Sequence, residues 1–422
     1  MKIAVIGSGI TGLSAAWLLA RHHNVTLFEA NDYAGGHSNA VDVSLDGMDF
    51  PVDTGFLVFN HKTYPNLTQL FSLLDVETAD TDMGFSVRLP KDNIEWSGSN
   101  LSSLFAQKVN IFRPRFWLMI SDILRFNKNA NRLLALAQAH NLSLGQLLQL
   151  ENYSESFAQW YLLPMGAAIW STPSQDMLNF PAESFIQFCL NHGLLQIKDR
   201  PQWMTVTGSS RQYVKKMCAG IGDVRLNNAV YGIERTIDGV LVKHQHGADI
   251  FDKVILASHS DQSLALLNDA SNQEISILSG IKYAPNTAFL HTDSSLMPKN
   301  KAAWAAWNYY NSPQDSNNAP VAVTYWLNKL QPLPFKTPLF VTLNPPEAIA
   351  PEHIIRQFDY AHPQLNEAAY QAQKQLHAIQ GNGGVYFAGA WAGYGFHEDG
   401  LKAGLRVARL LGANAPWQAV YE

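Results

Sequence analysis

Gly7-Ser8-Gly9-Ile10-Thr11-Gly12 is a Gly-x-Gly-x-x-Gly loop, and residues of that type at that spacing bring bare backbone amides up to a pyrophosphate. The loop follows the apolar run Lys2 to Ile6 and opens an apolar helix, so the helix N-terminus adds amide donors and positive partial charge. Glu29 ends a second strand, Asn24 to Phe28, at about 20 residues beyond the loop, where a carboxylate can hold a ribose diol. No arginine follows Glu29 closely to take a 2′-phosphate, and Gly35-Gly36-His37 adds a second glycine pair. Near the other end, His397, Glu398 and Asp399 place three titratable groups in a row. Two readings stay open there. Either Glu398 or Asp399 caps a helix that starts near Glu398 to Gly400 while His397 packs, or His397 acts as an acid or base, its ordinary pKa lying near neutrality.

The elements that must position these residues are scattered along the chain. A second block begins near Met204 to Ser210, continues through a helix around Arg211 to Met217 and reaches Asp223 to Val230, after which Val240 to Lys243 and Phe251 to Ser258 read as strands, with Asp238-Gly239 as a hairpin turn. Gly383 to Ala390 reads as a strand ending in glycine, followed by a helix through Leu411. This spacing predicts a discontinuous nucleotide domain with a second domain inserted twice. At 422 residues, with 47% hydrophobic and 15% charged residues, the chain can bury a large core of about two domains. Its net charge of −5 and lack of a known binding module argue against nucleic acid. Cys189 and Cys218 form no C-x-x-C pair and no metal-ligand spacing, so buried structural thiols, no metal and a reducing cytoplasm are expected. The apolar N-terminus is broken by the glycine loop and is followed by Arg21-His22-His23, which is unlike a signal peptide. No segment reaches the roughly 18 to 20 apolar residues that span a bilayer.

The glycine pair after Glu29 resembles the extended fingerprint of FAD-binding oxidoreductases. With the Val254-Ile255-Leu256-Ala257 strand and the Phe387-Ala388-Gly389 segment, the whole chain resembles the FAD-dependent amine oxidase, protoporphyrinogen oxidase and phytoene desaturase superfamily. Asp53-Thr54-Gly55-Phe56, Phe112 to Trp117, Trp307-Asn308-Tyr309 and Gly393 to Leu401 look like its bacterial "predicted NAD/FAD-binding protein" branch. Members of that branch are often encoded beside cyclopropane-fatty-acid-synthase-like methyltransferases, a context that implies lipid acyl chemistry. The resemblance implies an α/β fold: a Rossmann-like FAD-binding domain from residues 1–60, 201–282 and 379–422, and an inserted α+β substrate domain from 61–200 and 283–378. It also implies an FAD site of Gly7, Gly9, Ile10, Thr11, Gly12, Glu29, Ala30, Gly35, Gly36, His37, Asp53, Thr54, Gly55, Phe56, Ala229, Val230, Ala257, Gly389, Ala390, Glu398, Asp399, Gly400 and Leu401. Phe396 or His397 would take the aromatic place on the flavin face. Where the family usually has an acidic residue after Phe-Ala-Gly, this chain has Ala390-Trp391, and backbone groups or Glu398 would have to serve the ribityl chain.

Many amine oxidases carry a lysine on the strand equivalent to Tyr283 to His291, and here that strand offers Asn286 and Thr287, with Lys282 only near its start. Amine oxidation therefore stands second, and a flavin-binding protein without turnover third. Trp96, Trp117, Trp160, Trp170, Trp203, Trp304, Trp307, Tyr309, Tyr310, Tyr325 and Trp326 suit the walls of an apolar pocket, although each alone would also suit a core. Lys108, Arg113, Arg115, Arg125, Lys128 and Arg132 face only Asp122 and interleave with Phe112, Phe116, Trp117, Leu118, Ile120, Ile123, Leu124 and Phe126. A basic helix after Pro114 would lie on an anionic membrane or form a solvated face over a core. The sequence thus predicts an FAD-dependent oxidoreductase that removes hydride from, or desaturates, a small hydrophobic substrate, a fatty-acyl group above others. The protein would be cytoplasmic, with peripheral contact to the inner face of the membrane as an alternative. Dioxygen, a quinone or a protein remain open as electron acceptor.

Overall fold

The computed structural model of the chain describes residues 1–170, 173–196, 200–311 and 321–421. Strand Lys2–Ile6 has four consecutive apolar residues, Ile3 to Ile6, all buried, which is the pattern of a parallel strand covered on both faces. It lies at the centre of a five-stranded sheet in the order Val385–Phe387, Lys253–Leu256, Lys2–Ile6, Asn24–Phe28, Asp223–Arg225. Every neighbouring pair in this sheet is parallel. The chain leaves the central strand toward one edge and returns on the other side, so the glycine loop sits at a topological switch point, where α/β sheets bind ligands.

Helix Ile10–Leu19 leaves that loop and is buried along its whole length. Its partner is the last helix, His397–Leu410, which presents Gly400 and Gly404 to it. A Cβ on Gly404 would fall 2.1 Å from Ser14 Oγ and 2.5 Å from the Thr11 carbonyl oxygen, so only glycine admits this approach. Helix Pro65–Leu73 packs on the same layer through Leu67, Leu70 and Phe71.

Beside this layer stands a three-stranded antiparallel sheet, Val230–Thr236, Gly239–His244 and Gly247–Phe251, in which Thr236 faces Gly239 across the predicted hairpin. A larger sheet has seven strands in the order Ile354–Gln364, Lys282–His291, Phe340–Leu343, Ala322–Trp326, Trp307–Tyr310, Phe85–Leu89, Ile94–Ser97. Its pairs are antiparallel except Trp307–Tyr310 with Phe85–Leu89. Helices Pro114–His140, Leu144–Leu150, Leu163–Trp170 and Ala182–Asn191 cover it with a core that includes Phe116, Phe126, Phe157 and Phe185. These sheets and helices together give the mixed α/β architecture that the sequence predicts.

The helix after Pro114 forms, but its charge balance differs from the sequence reading. Arg115 meets Glu155 at 3.0 Å, Arg132 meets Glu151 at 2.5 Å and Arg125 meets Asp122 at 2.9 Å. Glu151 and Glu155 come from segments that follow the helix, so periodicity within the helix could not reveal them. The apolar residues divide as well: Phe116 and Phe126 are in the core, whereas Phe112, Trp117, Leu118 and Leu124 are exposed.

If the Gly404 contact sets the helix spacing, Gly404→Val should lower stability by about 1–3 kcal/mol, the usual cost of overpacking. Urea unfolding of the purified protein measures this. Gly222→Ala, whose added Cβ meets nothing within 4 Å, should leave the midpoint close to wild type.

Candidate functional site

A single cavity of about 880 Å³ runs from the glycine loop to the seven-stranded sheet. Its size is that of a cofactor or ligand site. At one end it is lined by Gly7, Gly9, Ile10, Thr11, Glu29, Ala30, Gly35, Gly36 and His37, and along it by Thr54, Gly55, Phe56, Val230, Ala257, Gly389, Ala390, Phe396 and His397. The structure thereby brings together most of the residues that the sequence assigns to the cofactor. Gly12, Asp53, Ala229, Glu398, Asp399, Gly400 and Leu401 are not part of the cavity wall.

The glycines have distinct physical duties. Gly7 turns the chain at φ +99°, and Gly12 lets helix meet strand, since a Cβ there would lie 1.8 Å from the Gly7 oxygen. Gly9 is different: its Cβ would meet nothing within 4 Å, and it lines the cavity, so the backbone there leaves room for a pyrophosphate to approach. Gly36, at φ +58°, lies against the Gly9 Cα. Glu29 binds both sides of the cradle. Its Oε2 accepts from Ser8 N at 3.0 Å and Ser8 Oγ at 2.6 Å, and its Oε1 accepts from Asn31 N at 3.0 Å and Asn31 Nδ2 at 2.9 Å. Ribose hydroxyls would replace the two side-chain donors and leave the two amides in place. The residues present therefore fit a dinucleotide.

The residues outside the wall hold it. Asp53 accepts from Ser210 N through both oxygens, at 3.0 and 2.9 Å, and from Ser210 Oγ at 2.5 Å. Glu398 turns away from the cavity: it accepts from Asn66 N and Leu67 N, each at 3.0 Å, and from Asn66 Nδ2 at 2.8 Å, and so caps helix Pro65–Leu73. Burial raises its pKa to about 7, against those amide bonds. It is thus committed to another helix and not free to take the ribityl role offered in place of the family's acidic residue. Trp391 likewise spends its indole N–H on the Ser258 carbonyl, at 3.0 Å. Asp399 is the cap of its own helix, its Oδ2 accepting from Phe396 N at 3.0 Å.

The helix starts at His397, whose ring stacks on Phe56 with centroids 3.9 Å apart, and whose Nε2 is 2.9 Å from the Tyr213 hydroxyl. Tyr213 in turn bonds Ser38. Burial, reinforced by His37, lowers the His397 pKa to about 3. The expectation of a titration near neutrality is therefore corrected, because the imidazole is neutral throughout the physiological range.

Sequence reasoning named His37 but missed the cluster of imidazoles it belongs to. His37 stacks on Tyr360 at 4.8 Å and tilts toward His362 at 5.8 Å, while His259 stacks on Tyr283 at 4.4 Å. Burial lowers His37 to about 3 and His362 to about 4, with neighbouring histidines adding to the effect. His362 and Tyr360 alternate on one strand, which is the local signal that both face one side. Of the aromatic residues singled out in the sequence, Trp170, Trp203, Trp307 and Tyr325 line the cavity.

A model of the flavin-containing amine oxidoreductases matches residues 10–411. Among curated proteins, the chain is 38% identical over 107 residues to a carotenoid phi-ring synthase from Streptomyces griseus, covering 25% of this chain and 19% of that one. It is 37% identical over 90 residues to a 4,4'-diapophytoene desaturase of Staphylococcus aureus, covering 18% of each. The chain thus matches only about a fifth of the length of these relatives. Two solved structures share the fold across 97% of this chain. One is a CLA-producing fatty acid isomerase from P. acnes, with TM-score 0.66, 14% identity and 97% of that chain covered. The other is putrescine oxidase bound to putrescine, with TM-score 0.68, 14% identity and 99% of that chain covered.

Glu29→Ala removes the carboxylate meant for the ribose. Hydrogen bonds to a charged group are worth about 1.5–3 kcal/mol, so dinucleotide affinity should fall roughly tenfold or more. Titrating stripped protein with FAD and following flavin fluorescence tests this, and unchanged affinity would remove Glu29 from the site.

Proposed function

The chain belongs to the family of flavin-containing amine oxidoreductases, with FAD as its cofactor, and from that membership we propose that it removes hydride from, or desaturates, an apolar substrate of the fatty-acyl class. When bound, the flavin supplies the electron-accepting ring. The observation that carries the substrate reading is the charge content of the cavity wall. Among the described residues Glu29, at the ribose end, is its one carboxylate, and neither lysine nor arginine lines it. An ammonium group entering this space would lose its water with no counter-ion to meet it, a cost of several kcal/mol. An acyl chain meets Trp170, Phe188, Trp203, Trp307, Tyr325 and Leu343 instead. The short stretches shared with a diapophytoene desaturase are in keeping with an apolar substrate.

In this reading the segments 1–60, 201–282 and 379–422 hold the cofactor, and 61–200 with 283–378 receive the substrate. The amides around Gly9 hold the pyrophosphate, and Glu29 holds the ribose. The first turn of helix His397–Leu410 aims its amides and dipole at the place where negative charge gathers on reduction. Phe396 and Phe56 flank that place, and neutral His397 serves as a hydrogen-bonding partner fixed by Tyr213. The aromatic walls exclude water and align the substrate C–H bond.

Substrate access by way of a bilayer belongs to the same proposal, and the observation favouring it lies between Leu101 and Leu118. Leu101 is 75% and Phe112 82% exposed, and Val109, Ile111, Trp117 and Leu118 are exposed beside them. Lys108 and Arg113 border these residues, Arg115 being paired with Glu155, and no carboxylate occurs from Gly98 to Ser121. The protrusion is built: Trp117 Nε1 donates to the Ile111 oxygen at 2.8 Å, and Phe105 packs against both Phe116 and Trp117. Apolar tips ringed by cations fit an anionic lipid surface. No helix of the described residues is long and apolar enough to cross a membrane.

Anaerobic mixing of the FAD-loaded protein with fatty acids, acyl phospholipids and polyamines tests the reaction. Acyl compounds should bleach the flavin and polyamines should not, and lipid mass spectrometry of cells with and without the gene should show the matching change. Bleaching by a polyamine with release of hydrogen peroxide would overturn the reading in favour of amine oxidation. Flavin that no candidate reduces would favour a binding protein without turnover. For membrane access, the protein should sediment with vesicles containing anionic lipid, less so as salt is raised. Phe112→Ser combined with Arg113→Glu should abolish sedimentation while FAD content stays the same, since each basic residue near the surface adds about 1 kcal/mol.

A further inference from the structure

We propose that His362 recognises the polar head of the substrate, accepting as ligand a hydrogen-bond acceptor, a carboxylate or carbonyl oxygen, and refusing an ammonium group. The proposal rests on the acyl reading above for the chain attached to that head. Its basis is a hydrogen-bond relay whose direction is fixed at every link. Asn344 Oδ1 accepts from Thr287 N at 3.0 Å, so its Nδ2 is the group that donates to Asn286 Oδ1, at 2.7 Å. That leaves the Asn286 Nδ2 to donate to the Ala284 oxygen and to His362 Nδ1, each at 3.0 Å. A ring nitrogen that accepts carries no proton, and in a neutral imidazole the proton then sits on the other nitrogen. His362 is therefore the Nε2–H tautomer. Among the described residues no protein group takes that proton, and the ring lines the cavity.

The position of this donor is equally defined. His362 lies 5.8 Å from the His37 ring, and its neighbour Pro363 approaches Gly395, just before Phe396 and His397. It thus stands at the end of the cavity where the flavin ring is expected. From there the cavity wall continues across the seven-stranded sheet through Leu343, Val341, Tyr325 and Trp307, all of which line it. A head held at His362 lays its chain along an apolar floor. An ammonium head would set donor against donor there, without a carboxylate to compensate. Asn286, on the strand where many amine oxidases carry their lysine, thus acts here as a positioning residue for a donor of another kind.

Calorimetry on the FAD-loaded protein, with laurate, methyl laurate and dodecylamine as probes, tests the proposal. Laurate and its ester should bind, dodecylamine should not, and His362→Phe should weaken laurate at least tenfold while FAD content is unchanged. Side-chain 15N correlation spectra of the wild type should show the His362 proton on Nε2, a result that mere packing would not require. The proposal is overturned by a proton on Nδ1, by dodecylamine binding as well as laurate, by failure of all three probes, by laurate affinity unchanged in His362→Phe, or by loss of FAD in that variant, which would assign His362 to the cofactor. Laurate binding that depends on His362, together with flavin that no acyl compound reduces, would count against the redox reading and leave the head-group site standing.

Discussion

The contact of helix Ile10–Leu19 with helix His397–Leu410 is the constraint on which the site depends. Gly400 and Gly404 let the two helices approach until Ser14 and Thr11 touch the second helix's backbone. That spacing delivers two helix N-termini to one cavity, the first at the glycine loop and the second at His397. Both ends carry amides without intrahelical partners and positive partial charge, offset in part at the second by Asp399. Glu398 and Asp399, which would otherwise bring two carboxylates to this place, are turned to helix capping. Glu398 is thereby kept out of the cavity.

Away from Glu29, the cavity wall carries its polarity in neutral groups. Burial holds His37, His362 and His397 well below the ordinary histidine range, and each is kept in place by a ring or a hydrogen bond from the protein. A wall of oriented neutral donors differs from a wall of ions in one respect. Its groups recognise by direction without large desolvation cost, because no charge has to be stripped of water. This suits a substrate that is apolar apart from one head.

The glycine loop, Glu29 and the Phe-Ala-Gly strand were legible in the sequence because each is a local pattern in which spacing alone determines geometry. The strands of the central sheet were legible for the same reason, since buried parallel strands read as short apolar runs. What stayed hidden depends on pairing between distant segments. Glu398 and Asn66 are 332 residues apart, and Asn286 and His362 76 apart, so neither bond leaves a trace in local spacing. The basic stretch shows the same limit: its helix was legible, whereas Glu151 and Glu155, which neutralise two of its arginines, arrive from later helices.

The central sheet has a consequence for how the protein is made. Its middle strand, Lys2–Ile6, is translated first, yet one flank is Lys253–Leu256 and the strand beyond is Val385–Phe387. Helix Ile10–Leu19 likewise waits for His397–Leu410 to cover it. Such far-separated pairings form slowly and only after loop closure has been accomplished. Until ribosomal synthesis has passed residue 256 the first strand has Asn24–Phe28 beside it but not its other flank, and until residue 410 helix Ile10–Leu19 lacks its covering helix, so apolar faces stand open to aggregation or to a chaperone. A nascent chain arrested before its last helix would carry the whole glycine fingerprint and still lack the helix that closes its cradle.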